Sequence, residues 1–86
     1  MYSYEEEKPK IFTEDGQRDF LKVRDKANKL LKEAGAFMLF SACRGITGDT
    51  WFVMACVDRL VELNEIKEIT SSNVCGQHRV FVSTKE

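Results

Sequence analysis

Residue types that could carry out catalysis or hold a metal are scarce in this sequence. His78 is the single histidine, and no serine or acidic residue stands at a spacing that would make it a general base. Cys75 and His78 have a zinc-like separation, but a structural zinc takes four ligands. Cys43 and Cys56 could complete such a site only if the fold brought them there, and burial as small apolar side chains is the simpler role for them. We therefore expect no enzymatic activity, no metal and no cofactor.

Basic side chains are the chemical group with a regular arrangement. Four of them recur along one side of a predicted helix, at intervals of 4, 4 and 3 residues: Arg18, Lys22, Lys26 and Lys29. Two interpretations are open: an ordinary solvated helix face, or a surface that contacts the phosphates of nucleic acid. Under the second interpretation, polar residues elsewhere would add contacts. The candidate nucleic-acid contacts are Arg18, Lys22, Lys26, Lys29, Arg44, Thr50, Asn73, Gln77, His78 and Arg79.

A run of seven apolar residues, Trp51 to Val57, begins the third predicted helix. One face of this helix carries a regular core stripe, made of Val53, Cys56, Val57, Leu60 and Leu63. The other face is a candidate protein interface, because Trp and Met are enriched at such contacts; it carries Trp51, Met54, Ala55 and Asp58. Three coverings of this second face are open: the same chain, including the segment around Ile11 and Phe12; a second subunit; or a heterologous partner or nucleic acid.

Composition and charge are those of an ordinary soluble domain. The chain has 86 residues, of which 43% are hydrophobic and 31% charged, with a net charge of −1. Residues 1–15 carry five acids and two bases, a net −3, whereas residues 16–35 carry six bases and three acids, a net +3. No apolar run approaches the roughly 20 residues that span a bilayer, and the first ten residues lack the apolar stretch of a signal peptide. With three cysteines, an odd number, we expect reduced thiols and a cytoplasmic location. We also expect no membrane partner and no small-molecule partner.

Hydrophobic periodicity predicts three helices followed by a β-hairpin. The first helix covers residues 14–34, with Thr13 as its N-terminal cap and Gly35 ending it. The second covers about 38–44 and the third about 50–63, with Asn64 as a left-handed cap. The period then changes to about 2, so strands at 66–70 and 79–83 are expected to pair around a polar loop. Residues 1–10, which are polar and contain the only proline, are expected to form a flexible arm before a single domain at 11–86.

The end of the third helix resembles a known family. The stretch VDRLVELNEIKEIT is similar to the end of the recognition helix in winged helix-turn-helix domains, where Leu-x-x-Leu-Gly/Asn-x-Ile runs directly into the first wing strand. The matching positions are Leu60, Leu63, Asn64 and Ile66. The resemblance covers residues 13–83 and implies an α+β fold of three helices and a two-stranded wing at 66–82. It also implies that the third helix is the recognition helix.

The resemblance implies nucleic-acid binding, although the family also includes pure interaction modules. Its DNA binders read the major groove with hydrogen-bond donors on the outward face of the recognition helix, and that face has no cation here. We therefore expect a small regulatory protein of transcription or replication that binds double-stranded DNA mainly through phosphate contacts from the first helix and the wing. The alternative is a protein-interaction module, self-associating or hetero-binding through the face that carries Trp51 and Met54.

Overall fold

The computed structural model describes residues 2–46, 49–71 and 78–84. Within them lie four helices and three strands, an α+β arrangement as predicted. The order is α1 (Tyr4–Ile11), α2 (Glu14–Ala34), β1 (Ala36–Met38), α3 (Leu39–Cys43), α4 (Thr50–Glu62), β2 (Ile66–Glu68) and β3 (Val80–Ser83). This order is compatible with a winged helix, but the sheet has three strands rather than the predicted two.

The two long helices begin and end where their capping residues predict. Thr13 accepts a hydrogen bond from the backbone N–H of Gly16 at 3.0 Å, which satisfies one of the free donors at the start of α2. Gly35 ends α2 at φ 80°, in the left-handed region where a side chain is costly. Asp49 caps α4 by accepting from the N–H of Phe52 at 3.1 Å, and Asn64 follows its end at φ 62°. The predicted roles of Thr13, Gly35 and Asn64 are confirmed.

Helix α4 is the centre of the core. Of its predicted core stripe, Val53, Cys56, Val57 and Leu60 are buried. The prediction was wrong for Leu63, which is 42% exposed, because α4 ends at Glu62 and Leu63 lies in the turn beyond it. Ile66 on β2 takes the next buried position instead.

The sheet places the last strand in its middle. Its order is β1-β3-β2, with both pairs antiparallel, so the predicted hairpin pairing of β2 with β3 is confirmed. The rings of Phe37 and Phe81 stack at 5.4 Å on the buried face. Strand β1 was not predicted as a strand of the sheet, because three residues are too few to show a period of two. It pairs with β3 through Phe37 and its neighbours.

The first ten residues are not the flexible arm that the sequence predicted. Most of them form α1, which packs against α4 and α2. Ile11 is fully buried, and Gln17 donates to its backbone carbonyl at 2.7 Å. A glycine is required at position 16, because a side-chain carbon there would lie 1.9 Å from the carbonyl oxygen of Lys10. The corner between α1 and α2 is therefore closely packed, and α1 belongs to the folded domain.

Candidate nucleic-acid interface

The exposed side of α2 carries the predicted basic residues, but half of them already have acidic partners. The guanidinium of Arg18 lies 3.0 Å from Asp15, and the ammonium of Lys22 lies 3.9 Å from Asp19. Both pairs span one helical turn at the surface, where such interactions contribute only about 0.3–0.5 kcal/mol each. Their main effect here is on local charge, because each pair cancels one cation of the predicted phosphate-binding surface.

The second half of the basic face borders a groove between α2 and α3. The groove has a volume of about 520 Å³ and is lined by Lys26, Leu30, Ser41, Arg44 and Gly45. The Lys26 ammonium donates a hydrogen bond to the backbone carbonyl of Arg44, which ties the end of α3 to α2. Gly45 has φ 81°, so the chain turns away in the left-handed region directly after Arg44. The sequence analysis missed Ser41 and Gly45 as neighbours of this basic surface.

Three cations remain at this end of α2. Lys29 follows Lys26 by one turn and is exposed, as is Arg44. Among the residues that the structure describes, neither Lys29 nor Arg44 has a carboxylate within ion-pairing distance. Burial raises the pKa of the neighbouring Cys43 thiol, an effect that the charge of Lys26 opposes. The groove is therefore a positively charged surface with a hydroxyl and an apolar side chain within it.

Arg79, predicted to contact phosphates, is instead held inside the protein by two carboxylates. Its guanidinium donates to Asp58 at 2.7 Å and to both carboxylate oxygens of Glu68, at 2.8 and 3.0 Å. Its charged carbon also lies 5.2 Å from the centre of the Phe81 ring, within cation–π range. The side chain is 14% exposed. Arg79 directly precedes β3, and its ion pair with Asp58 on α4 engages the charge that the sequence assigned to phosphate contacts.

The same cluster of charges fixes the N-terminal end of the chain. The hydroxyl of Tyr2 donates to Asp58 at 2.5 Å, and burial together with this bond raises the pKa of Tyr2. Hydrogen bonding from Arg79 lowers the pKa of Glu68. Asp58 was predicted as part of a protein interface, but its carboxylate is occupied by Arg79 and Tyr2. We refer to Tyr2, Asp58, Glu68 and Arg79 as the Arg79 cluster.

The second face of α4 is covered by the same chain. Met54 and Ala55 are buried, and α1 packs along α4. The hydroxyl of Tyr4 donates to Glu62 at 2.9 Å, and the Lys8 ammonium lies 3.0 Å from the same carboxylate. Met54 and Ala55 are thus unavailable to a partner, contrary to the prediction that they form an interface. The intramolecular covering, one of the three that the sequence left open, is the one observed for these two residues.

The N-terminal end of α4 remains accessible. Trp51 is 44% exposed, and Thr50, the first residue of the helix, is half-buried. His78, two residues before β3, is exposed. Asn73, Gln77 and Cys75 lie outside the described residues. Within the described ranges, no three His, Cys, Asp or Glu side chains are grouped so as to hold a metal ion.

One exposed aromatic residue near the groove escaped the sequence analysis. Phe40 is 47% exposed and directly precedes Ser41, which lines the groove. Its neighbours in α3, Leu39 and Ala42, are buried, so Phe40 lies on the outer side of this short helix. The apolar run from Ala36 to Phe40 predicts core residues and gives no sign that the last of them is at the surface.

No helix among the described residues is both long and apolar enough to cross a membrane.

Comparison with known proteins adds no family to these observations. Neither a protein-family model, nor a curated protein, nor a solved structure matches this chain.

Proposed function

We propose that this chain is a small, non-enzymatic regulatory protein that binds nucleic acid through the phosphate backbone. The observation that carries the proposal is the groove between α2 and α3, where Lys26 and Arg44 border the same cavity. Lys29 extends the positive charge along α2. Arginine and lysine side chains supply most phosphate contacts in nucleic-acid complexes, and releasing counterions from the phosphates provides the affinity.

The proposal differs from the sequence-based expectation in the surface that it uses. Met54 and Ala55 on the outward face of α4 are buried, and Arg79 is bound to Asp58 and Glu68. These intramolecular contacts favour a nucleic-acid surface elsewhere on the molecule. The contacts therefore come from the end of α2 and the end of α3, and they carry no base-specific readout by α4.

The test is binding of labelled nucleic acid, measured by fluorescence anisotropy at about 50 mM salt, where phosphate contacts still bind tightly. We expect the Lys29→Ala, Arg44→Ala double variant to weaken binding to every sequence. It should also reduce the slope of log affinity against log salt by about one unit for each phosphate contact that is lost.

Arg18→Ala is the matched control, since it removes a cation from the same helix whose charge Asp15 already balances. We expect Arg18→Ala to change the affinity for nucleic acid less than Arg44→Ala does. Equal losses from Arg18→Ala and Arg44→Ala would place binding on the whole basic face and refute the groove. Absence of binding to any nucleic acid would refute the function.

A second candidate function is protein interaction, and the exposure of Trp51 is the observation that favours it. A large aromatic side chain at the surface is the residue type that dominates protein–protein contacts. Met54, its predicted companion, is buried and contributes nothing to such a surface. Sizing by light scattering, with Trp51→Ala as the comparison, tests this candidate: an assembly that the variant abolishes would support it.

A further inference from the structure

The groove combines three chemical features that single-stranded nucleic acids use. Lys26 and Arg44 supply positive charge, Ser41 supplies a hydroxyl, and Leu30 supplies apolar surface within the same cavity. At about 520 Å³, the cavity falls in the range of roughly 300–1,000 Å³ that is usual for ligand sites. A purely phosphate-binding surface would need only the cations, whereas the exposed part of Leu30, which also packs against the core, adds apolar surface that a ligand can contact.

Phe40 provides the aromatic surface that the groove itself lacks. It is half exposed, and it lies one residue before Ser41 and one helical turn before Arg44 along the same short segment. Aromatic side chains next to a basic groove are the arrangement on which unpaired bases stack. In a duplex the bases are already stacked on each other and paired, so they cannot use an aromatic side chain without being pulled apart.

The fold also restricts the usual route to duplex recognition. Met54 and Ala55 on α4 are buried, although Trp51 at the start of that helix is exposed. Helix α3, at five residues, is too short to present a reading surface along a major groove. A single strand of nucleic acid with unpaired bases needs neither helix for binding. It can bind in a positively charged groove beside an aromatic ring.

We propose that the groove between α2 and α3 binds single-stranded nucleic acid, with a base stacked on Phe40 and phosphates against Arg44 and Lys29. This inference rests on the proposed function and names the form of nucleic acid that the site prefers. DNA and RNA share the relevant chemistry, a π face on each base and a phosphate at each linkage.

The experiment compares three labelled probes of about a dozen nucleotides, a length within the roughly 4–16 nucleotides of small single-strand sites. The probes are oligothymidylate, oligouridylate and a mixed-sequence DNA duplex, each titrated with the full chain at about 50 mM salt. We expect at least one single-stranded probe to bind more tightly than the duplex. The difference between oligothymidylate and oligouridylate then assigns DNA or RNA as the preferred source.

Variants of Phe40 separate stacking from charge. We expect Phe40→Ala to weaken single-strand binding by about 5- to 150-fold, the range for losing one stacked base, and to change duplex binding less than about twofold. Phe40→Tyr should retain single-strand affinity. Phe12→Ala is the matched control, because Phe12 is also an exposed phenylalanine but lies at the end of α1. Circular dichroism checks that each variant is folded.

The outcomes distinguish this inference from the proposed function. Duplex binding equal to or tighter than single-strand binding, or full single-strand affinity in Phe40→Ala, would overturn the inference. The proposed function would survive either result, provided that Arg44→Ala still weakens binding. No binding of any probe by the wild-type chain would overturn both.

Discussion

Arg79 shows how one residue changes meaning when its surroundings are known. In the sequence it is a basic residue that suggests phosphate binding, and in the structure it donates to Asp58 and Glu68. Two carboxylates and one guanidinium leave the Arg79 cluster with a net −1 charge, which the hydroxyl of Tyr2 partly compensates by donating to Asp58. Removing the cation would leave two partly buried carboxylates without an opposite charge, and this is the costly way to break a buried ion pair.

The pKa of Glu68 predicts how stability depends on pH. Hydrogen bonding from Arg79 lowers it from its ordinary value of 4.5, so the ionised form is favoured in the folded state. The stabilisation is therefore complete above pH 4.5 and is lost as the pH falls through the lower, folded-state pKa. We expect Glu68→Gln to be less stable than the wild type at neutral pH and to lose less stability on acidification.

Urea unfolding at a series of pH values measures this difference. Asp15→Asn is the control, because Asp15 is a surface partner of Arg18 and surface pairs contribute little. If Glu68→Gln and the wild type lost stability in parallel as the pH fell from neutral to well below 4.5, the contact with Arg79 would contribute nothing to the acid dependence.

At the scale of elements, the sequence predicted α2 and α4 well because each has a regular apolar stripe and capping residues at both ends. It missed α1 for the opposite reason. Within eight residues α1 contains three glutamates, two lysines and Pro9, and its buried apolar contribution is Ile11. The evidence for α1 lies in its tertiary contacts, including the close approach of Lys10 to Gly16, and no local pattern reports them.

Helix α1 should contribute measurably to folding stability through Ile11. The side chain is fully buried, and truncating a buried isoleucine to alanine typically costs about 2–5 kcal/mol. We expect Ile11→Ala to lower the free energy of unfolding by an amount in this range, as measured by urea denaturation. The neighbouring Phe12→Ala should cost less than about 1 kcal/mol, since Phe12 is 54% exposed and its contact with Arg59 is at the surface. Similar losses for both variants would mean that the buried Ile11 contributes no more to stability than the exposed Phe12.

At the scale of the whole molecule, size limits how much nucleic acid can be contacted. The longest dimension is 31 Å, shorter than one turn of duplex DNA at about 34–36 Å. With Lys26 and Arg44 lining the groove and Lys29 one turn further along α2, about three phosphates can be neutralised. The slope of log affinity against log salt should then be near −2 for a single strand, at about −0.7 per phosphate. These properties follow from the three-dimensional arrangement, whereas the near-neutral composition of the chain gives no sign of them.

Tryptophan fluorescence reports whether a second molecule covers the accessible end of α4. Because α1 already covers Met54 and Ala55, we expect the emission maximum of Trp51 to be independent of protein concentration. It should also be red-shifted relative to that of a buried indole, since Trp51 is 44% exposed. A shift to the blue as concentration rises would instead reveal self-association through Trp51, and Trp51→Ala would then remain monomeric in sedimentation.

The central position of β3 constrains the order in which the chain can fold as it leaves the ribosome. Met38 pairs with Val80, so β1 is synthesised more than forty residues before its partner. At about 5–20 residues per second this interval lasts roughly 2–9 s. The interval between the synthesis of Tyr2 and that of its partner Asp58, 56 residues further along the chain, is longer still. During synthesis the nascent chain therefore exposes Phe37 and Ile11, and a chaperone that binds apolar segments has its opportunity before residue 80 is made.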